Sequence, residues 1–375
     1  MKLETSEYKK TKIFRLGELF CGPGGLALGA VSASAETEKA VYKIKHVWAN
    51  DYDKDSCKTY VRNICPDAPE SVICGDIRRL NVKKLPSIDA FAYGFPCNDF
   101  SIVGEQKGFS GTFGPLYTYG VNVLNHFKPK FFLAENVGGI IASNNGKAFE
   151  KILLDLENAG NGYALTAHLY KSEEYGVPQT RHRVIIIGID KKLNLRFEVP
   201  APTTLFDPVT AREALENPPI ADNAFNNDPT RQSELVIERL RHIRPGENVW
   251  TAQLPGRLRL NVKGAKLSQI YKRLHPDKPS YTITGSGGGG THGYHWEKPR
   301  ALTNRERARI QTFPDSFVFE GSKESVRRQI GMAVPPKLSE IIFTTVLKTF
   351  AGIRYPSVPS SWENQMTLFA NRSCT

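Results

Sequence analysis

The chain has 375 residues and carries 50 Lys plus Arg against 38 Asp plus Glu, a formal net charge of +12 at neutral pH. That length suits two domains with a sizeable core, and a 40% hydrophobic composition excludes a mainly disordered chain. The cationic surplus favours a polyanionic partner, nucleic acid ahead of a membrane surface; no run approaches the roughly 18 apolar residues of a membrane span, and Met1 to Lys12 is polar and lysine-rich without the apolar stretch of a signal peptide.

A cytoplasmic protein with no membrane partner is expected. Cys21, Cys57, Cys65, Cys74, Cys97 and Cys374 show neither a CxxC pair nor zinc-ligand spacing, so reduced thiols and no metal are expected.

Ile13 to Phe20 reads as a strand, and after a glycine turn Leu26 to Ala35 reads as a helix. The alternation repeats with His46–Ala49 then Asp53–Asn63, Ala90–Tyr93 then Leu116–Phe127, and Phe131–Ala134 then Lys147–Asn158. Such βα alternation predicts an α/β fold built on a parallel sheet. Ala164–Tyr170 and Val184–Ile189 flank the turn Tyr175-Gly176-Val177-Pro178 and predict an antiparallel pair that closes the sheet, making it mixed. From Pro200 to about Lys298 the text is irregular and reads as a second domain. Within it Arg257, Arg259, Lys263, Lys266, Lys272 and Arg273 fall in a stretch without acidic residues, as on a surface that follows phosphates or on a merely solvated face. Asn304–Gln311 and Pro336–Phe350 have helical character, and Pro356 to Thr375 reads as a loose tail.

Gly94-Phe95-Pro96-Cys97-Asn98-Asp99-Phe100-Ser101 follows a strand-length apolar run, and a cysteine in such a loop can be a nucleophile if it ionises. Taken alone, buried and inert core is the stronger explanation of such a cysteine. Phe20-Cys21-Gly22-Pro23-Gly24-Gly25 lies between the first strand and first helix, where a doubly wound sheet binds its ligand. It is not the dinucleotide fingerprint, because Ala27 stands at the third glycine position. Asp51 could hold a ribose, Tyr52 could stack on a purine and Gly75-Asp76-Ile77 could read an adenine edge; together they suggest an adenosine-containing cofactor.

Six segments in order, FCGPGG, GFPCNDFS, ENV at Glu135–Val137, QTRHR at Gln179–Arg183, RALTNRE at Arg300–Glu306 and GMAVPP at Gly331–Pro336, resemble those of the DNA cytosine-5 methyltransferases of bacterial restriction–modification type. The resemblance spans residues 14 to 340. It implies a Rossmann-like S-adenosylmethionine-dependent fold, helices on both faces of a mixed sheet, with a smaller irregular target-recognition domain. The implied division is 1–199 with 327–352 for catalysis and cofactor, 200–298 for target recognition, 299–326 as a hinge, and 353–375 as a C-terminal tail.

By the same resemblance, Cys97 adds to cytosine C6, Glu135 serves ring N3, Arg183 donates to O2, and Arg181 steadies the catalytic loop and a nearby phosphate. Ser101 contacts the DNA backbone and Gln179 lies at the pocket entrance. The cofactor positions are Phe20, Gly22, Gly24, Gly25, Asp51, Tyr52, Asp76, Ile77, Gly94, Pro96 and Leu116. The glycine-rich segment 102–114 is expected to close over a flipped base, and the basic stretch with Thr282–His295 to choose the target. Three departures stand out: Glu18 where the family has Asp, Phe113-Gly114-Pro115-Leu116-Tyr117 where it often has Arg-Gly-x-Leu-Phe, and Met332 where it favours Asn, whose amide hydrogen bonds a thioether cannot supply. The expected protein is a monomeric enzyme acting on double-stranded DNA and paired with a restriction endonuclease. An RNA methyltransferase of the same fold and a catalytically dead DNA-binding protein are the alternatives.

Overall fold

The computed structural model describes residues 9–96, 116–261, 267–288 and 290–362. An eight-stranded sheet organises the first half of the chain. Its strands are β1 (Lys10–Leu19), β2 (Ser34–Glu36), β3 (Ala40–Asp51), β4 (Val72–Cys74), β5 (Ala90–Gly94), β6 (Phe131–Val137), β7 (Tyr163–Lys171) and β9 (His182–Asp190), in the order β2-β3-β1-β5-β6-β9-β7 with β4 also on β3. β3, β1, β5 and β6 run parallel, β4 parallel to β3, while β9 is antiparallel to both β6 and β7. The predicted mixed sheet is thus observed, with the hairpin folded so that its second strand lies inside.

Alternation along the strands supplies two cores. Phe131, Leu133, Ile185 and Ile187 face α1 (Gly25–Ser32) and α9 (Pro336–Ala351). Phe132, Ala134, Val184 and Ile186 face α3 (Tyr117–Phe127) and α4 (Lys147–Glu157). The remaining helix of this half, α2 (Lys54–Ile64), starts on Asp53, whose side chain accepts from Ser56 N.

Three expectations change. The first helix stops at Ser32, since Ala33 is extended, and the next residues form β2 against β3. β3 begins six residues before the expected His46, at Ala40, because Lys43 and Lys45 are exposed positions of an alternating strand. The supposed tail is docked in its described part: Ser357–Val358 (β12) pairs with Val199–Pro200 (β10), and Trp362 packs on Phe149 at 5.3 Å.

The irregular region contains α5 (Ala211–Glu216), α6 (Glu234–Arg241) and the short strand β11 (Ser280–Tyr281), which pairs with β8 (Gln179–Thr180). Its apolar groups divide in two. Leu240, Ile243, Val249, Leu258, Ile270 and Tyr294 form one cluster. Ala211, Leu215, Leu274, Ile283 and Trp296 join Ala308, Ile310 and Phe313 around α7 (Asn304–Ile310), and Val326 and Ile330 of α8 (Lys323–Met332), in another. The expected boundaries at 298 and 326 therefore fall inside one shared core. α8 escaped the sequence pattern because Val326 and Ile330, one turn apart, are its buried apolar side chains.

Packing is tight at the sheet centre. A Cβ on Gly188 of β9 would lie 2.1 Å from the Phe132 ring. Gly188→Ala is expected to destabilise by about 1–3 kcal/mol, read as a lower urea midpoint; an unchanged midpoint would mean that Phe132 swings clear.

Candidate active site

The parallel strands all end on one side, and the sequence-predicted residues gather there. Phe20, Gly22 and Gly24 follow β1, Asp51 and Tyr52 end and follow β3, Asp76 and Ile77 follow β4, Gly94 ends β5, and Glu135 lies near the end of β6. The crevice outside the carboxyl ends of an open α/β sheet is the place where ligands bind.

The first loop is set by backbone conformation. Phe20, Gly22 and Gly24 have φ of 54°, 52° and 98°, a region glycine enters freely and Phe20 enters under strain. Asp51 fixes the loop: its carboxylate accepts from Gly22 N at 2.8 Å and from Asp53 N at 2.9 Å. Burial raises the Asp51 carboxyl and these backbone donors oppose the rise. A Cβ on Gly22 would meet nothing within 4 Å, and Tyr52, which follows Asp51 in the chain, is 74% exposed. An open backbone turn and a bare aromatic side chain at the strand ends fit an adenosine-bearing cofactor. Asp76 instead caps a short turn and pairs with Arg78, which lowers its carboxyl to about 2.

Asn50, which no motif singled out, ties this edge together. Its side chain is buried and donates to Ile73 O at 2.7 Å and Gly75 O at 3.0 Å. A polar residue at the end of an apolar strand was the available signal. Glu18, the longer stand-in for Asp, turns away from solvent and accepts from Tyr60 Oη at 3.0 Å; Tyr60 Oη in turn meets His46 Nδ1 at 3.1 Å. Burial raises Glu18 to about 8 and lowers His46 to about 4.

The carboxylate end of the site is built by strand register. Glu135 pairs with Gly94 on β5 and with Ile185 on β9, and Arg183 lies two residues from Ile185 on the same face. Arg183 Nε consequently reaches Glu135 Oε1 at 2.9 Å, with both side chains almost enclosed. Burial raises the Glu135 carboxyl, and the charges of Arg183 and then Arg181 hold it down. Gly94 permits the approach, since a Cβ there would sit 3.0 Å from Glu135 Oε2. Asn136 Nδ2 donates to Phe95 O at 3.2 Å and so anchors the segment Phe95-Pro96 that leads into Cys97. Cys97, Ser101 and the segment 102–114 lie outside the described residues; Leu116 immediately precedes α3.

Two residues of the arginine motif have partners that the resemblance did not imply. Gln179, expected at a pocket entrance, is fully buried, donating to Gln311 Oε1 at 2.9 Å and accepting from Ile283 N at 2.7 Å. Arg181, expected to steady the catalytic loop and a nearby phosphate, is 1% exposed, and among the described residues its guanidinium donates to Ile283 O, Gly331 O and Ala333 O. The basic stretch is also mixed in role, because Arg273 is buried and donates to the carbonyls of Leu240, Ile243, His295 and Trp296. Met332, at the end of α8, is 72% exposed.

Residues 14–348 match the model of the C-5 cytosine-specific DNA methylase family. The chain belongs to that family. It is similar to Type II methyltransferase M.BbvI of Brevibacillus brevis, at 60% identity covering 93% of this chain and 95% of that one. To Type II methyltransferase M.NgoFVII of Neisseria gonorrhoeae it is 41% identical over 92% and 89% of the two chains. Among solved structures, a prophage-encoded E. coli protein assigned as a DNA modification methyltransferase superposes with a TM-score of 0.68 at 26% identity, covering 90% of this chain and 99% of the other. Family membership makes the chain a DNA cytosine-5 methyltransferase with the S-adenosylmethionine-dependent fold.

Within this methylase, the Glu18 shift sets a sign. Between pH 4.5 and about 8 the folded chain keeps a proton on Glu18 that the unfolded chain has lost, so this residue lowers stability as pH rises. Glu18→Gln, which keeps an acceptor for Tyr60, is expected to gain stability over the wild type progressively across that window and to match it below pH 4.5. Urea midpoints at several pH values measure this; a constant difference would contradict the assignment.

Proposed function

We propose that this methylase transfers a methyl group from S-adenosylmethionine to C5 of a cytosine flipped out of a specific double-stranded DNA sequence, through a covalent bond between Cys97 and C6. The observation that carries the reading is the enclosed Glu135–Arg183 pair at 2.9 Å, at the mouth of the parallel sheet. Phe20, Gly22, Gly24, Gly25, Asp51, Tyr52, Asp76, Ile77, Gly94, Pro96 and Leu116 would hold the cofactor, with Tyr52 offering its exposed face. When bound, the cofactor supplies an electrophilic methyl group.

The residues of the chain make cytosine able to accept it. The Cys97 thiolate forms a bond to C6, and the C5–C6 electron pair moves into the ring, where negative charge grows at N3 and O2. Glu135, whose proton affinity is raised by burial, delivers a proton or hydrogen bond to N3, as a general acid tuned toward neutral pH does. Arg183 stabilises the charge at O2 with a permanent cation. After C5 is methylated its proton leaves to a base, the electron pair restores the C5–C6 double bond, and the S–C6 bond breaks to release the Cys97 thiolate. Ser101 would contact the backbone of the flipped strand. No metal enters this chemistry.

Region 200–298 would select the sequence. The likeness to bacterial type II methyltransferases supports a role in protecting DNA from a partner endonuclease, and the same reading takes the enzyme as a monomer in the bacterial cytoplasm.

Tritiated methyl incorporation into duplex DNA and into tRNA tests the reading. Duplex DNA is expected to be the acceptor, with Cys97→Ser and Glu135→Gln lowering the rate by about 10²–10⁴-fold. Transfer to tRNA alone, or undiminished transfer by Cys97→Ser, would overturn it.

A further inference from the structure

The catalytic strand and the second domain meet through side chains more than through a sheet. β8 and β11 pair only over Gln179–Thr180 and Ser280–Tyr281. Beyond them the ladder is continued by side-chain groups, which read both polar atoms of one peptide residue. Ile283 N donates to Gln179 Oε1 at 2.7 Å, and Ile283 O accepts from Arg181 Nη1 at 3.2 Å. The other arm of the guanidinium, Nη2, donates to Gly331 O at 3.0 Å and Ala333 O at 2.9 Å. Gln179 Nε2 donates to Gln311 Oε1 at 2.9 Å, and Gln311 Nε2 donates to Ile330 O at 2.6 Å. Gln179, Arg181 and Gln311 are all fully buried.

There is little slack around this interlock. A Cβ on Gly331 would lie 2.0 Å from Gly285 N, and one on Gly287 would strike the Arg327 guanidinium, which donates to Gly287 O at 3.1 Å. The glycines of this segment are therefore spent on close approach to α8. Moving 282–287 against Gly331–Ala333 would pull Ile283 O away from Arg181. Arg181 joins β8 to β9 two residues before Arg183, which itself reaches Glu135 at 2.9 Å, and its charge helps to hold down the Glu135 carboxyl. Among the described residues its Nε has no hydrogen-bond partner, and the two terminal nitrogens make the bonds.

We propose that Arg181 is a positioning residue, which makes the setting of the Glu135–Arg183 pair conditional on the seating of the Thr282–Gly287 segment. The inference rests on the methyl-transfer reading above. A planar fork can bridge carbonyls from two elements at once, whereas a lysine keeps the charge but loses the fork. When DNA leaves the segment seated, the guanidinium keeps its place and Glu135 its tuned proton affinity. When a poorly matched sequence displaces the segment, an acceptor is withdrawn, the cation moves and Glu135 is mis-set.

The test compares the full-length wild type with Arg181→Lys and Arg181→Gln. It reads kcat and KM on plasmid DNA, the pH dependence of kcat, and the methylated positions by bisulfite sequencing. Arg181→Lys is expected to keep KM for DNA within about threefold, to lose kcat by about tenfold or more, and to methylate additional sites. Arg181→Gln is expected to move the pH limb governed by Glu135 to higher pH, and the lysine variant to restore its position. Wild-type kcat and fidelity in both variants, or a loss matching the loss of folded protein with the pH limb unmoved, would overturn the proposal. If the Arg181 variants do not fold, Thr282→Ala decides, because it removes only the Thr282 Oγ1 bond to Thr180 O at 2.6 Å beside Ile283. Reduced fidelity in that variant supports the proposal, and wild-type fidelity overturns it. A wild type inactive on DNA would overturn the methyl-transfer reading and this inference with it, whereas an active wild type with unaffected variants overturns this inference alone.

Discussion

The ion pair between Glu135 and Arg183 is the constraint on which the rest of the site depends. A carboxyl enclosed at the end of a central strand loses its hydration and gains affinity for a proton. It is kept usable by a cation that cannot be titrated away. The pair exists because β9 runs antiparallel to β6 in a register that sets Arg183 two residues from the partner of Glu135. A shift by one residue would turn Arg183 to the opposite face of the sheet. The inverted hairpin at the sheet's end, which breaks the parallel pattern, is thus what brings the arginine to the carboxyl.

Two arginines of one short motif divide the work. Arg183 touches Glu135 directly, while Arg181 spends its hydrogen bonds on carbonyls of Ile283, Gly331 and Ala333. A similar division recurs beyond Pro200, where Arg273 and Arg305 are buried among backbone carbonyls and Arg257 sits on the surface against Glu238. Net charge alone therefore overstates how much cationic surface is available to DNA. Permanent charge and five donors make arginine as useful for tying irregular chain together as for binding phosphate.

The sheet was readable because its strands are apolar and its helices carry clear periodicity; Tyr117–Phe127 and Pro336–Ala351 lie within a residue of their expected limits. Glu135 and Arg183 were singled out through the family resemblance, and the strand register sets them 2.9 Å apart. The fates of Gln179 and Arg181 were not readable, since burial there depends on Ile283 and Gly331, about 100 and 150 residues away in sequence. The docking of Trp362 was hidden for the same reason: its partner Phe149 is remote and its flanking residues are polar. Thr282–His295 was expected to help choose the target, and Gly285 and Gly287 of that run lie close against Arg328 and Arg327 of α8.

In the proposed reaction Glu135, held by Arg183, lets Cys97 activate the cytosine ring. Addition at C6 makes C5 basic as well as nucleophilic, so the C5 hydrogen should exchange with water. Release of tritium from DNA containing [5-³H]cytosine, measured without methyl donor, isolates that step. The account predicts release by the wild type and a loss of about 10²-fold or more in Glu135→Gln. Equal release by the two enzymes would contradict it.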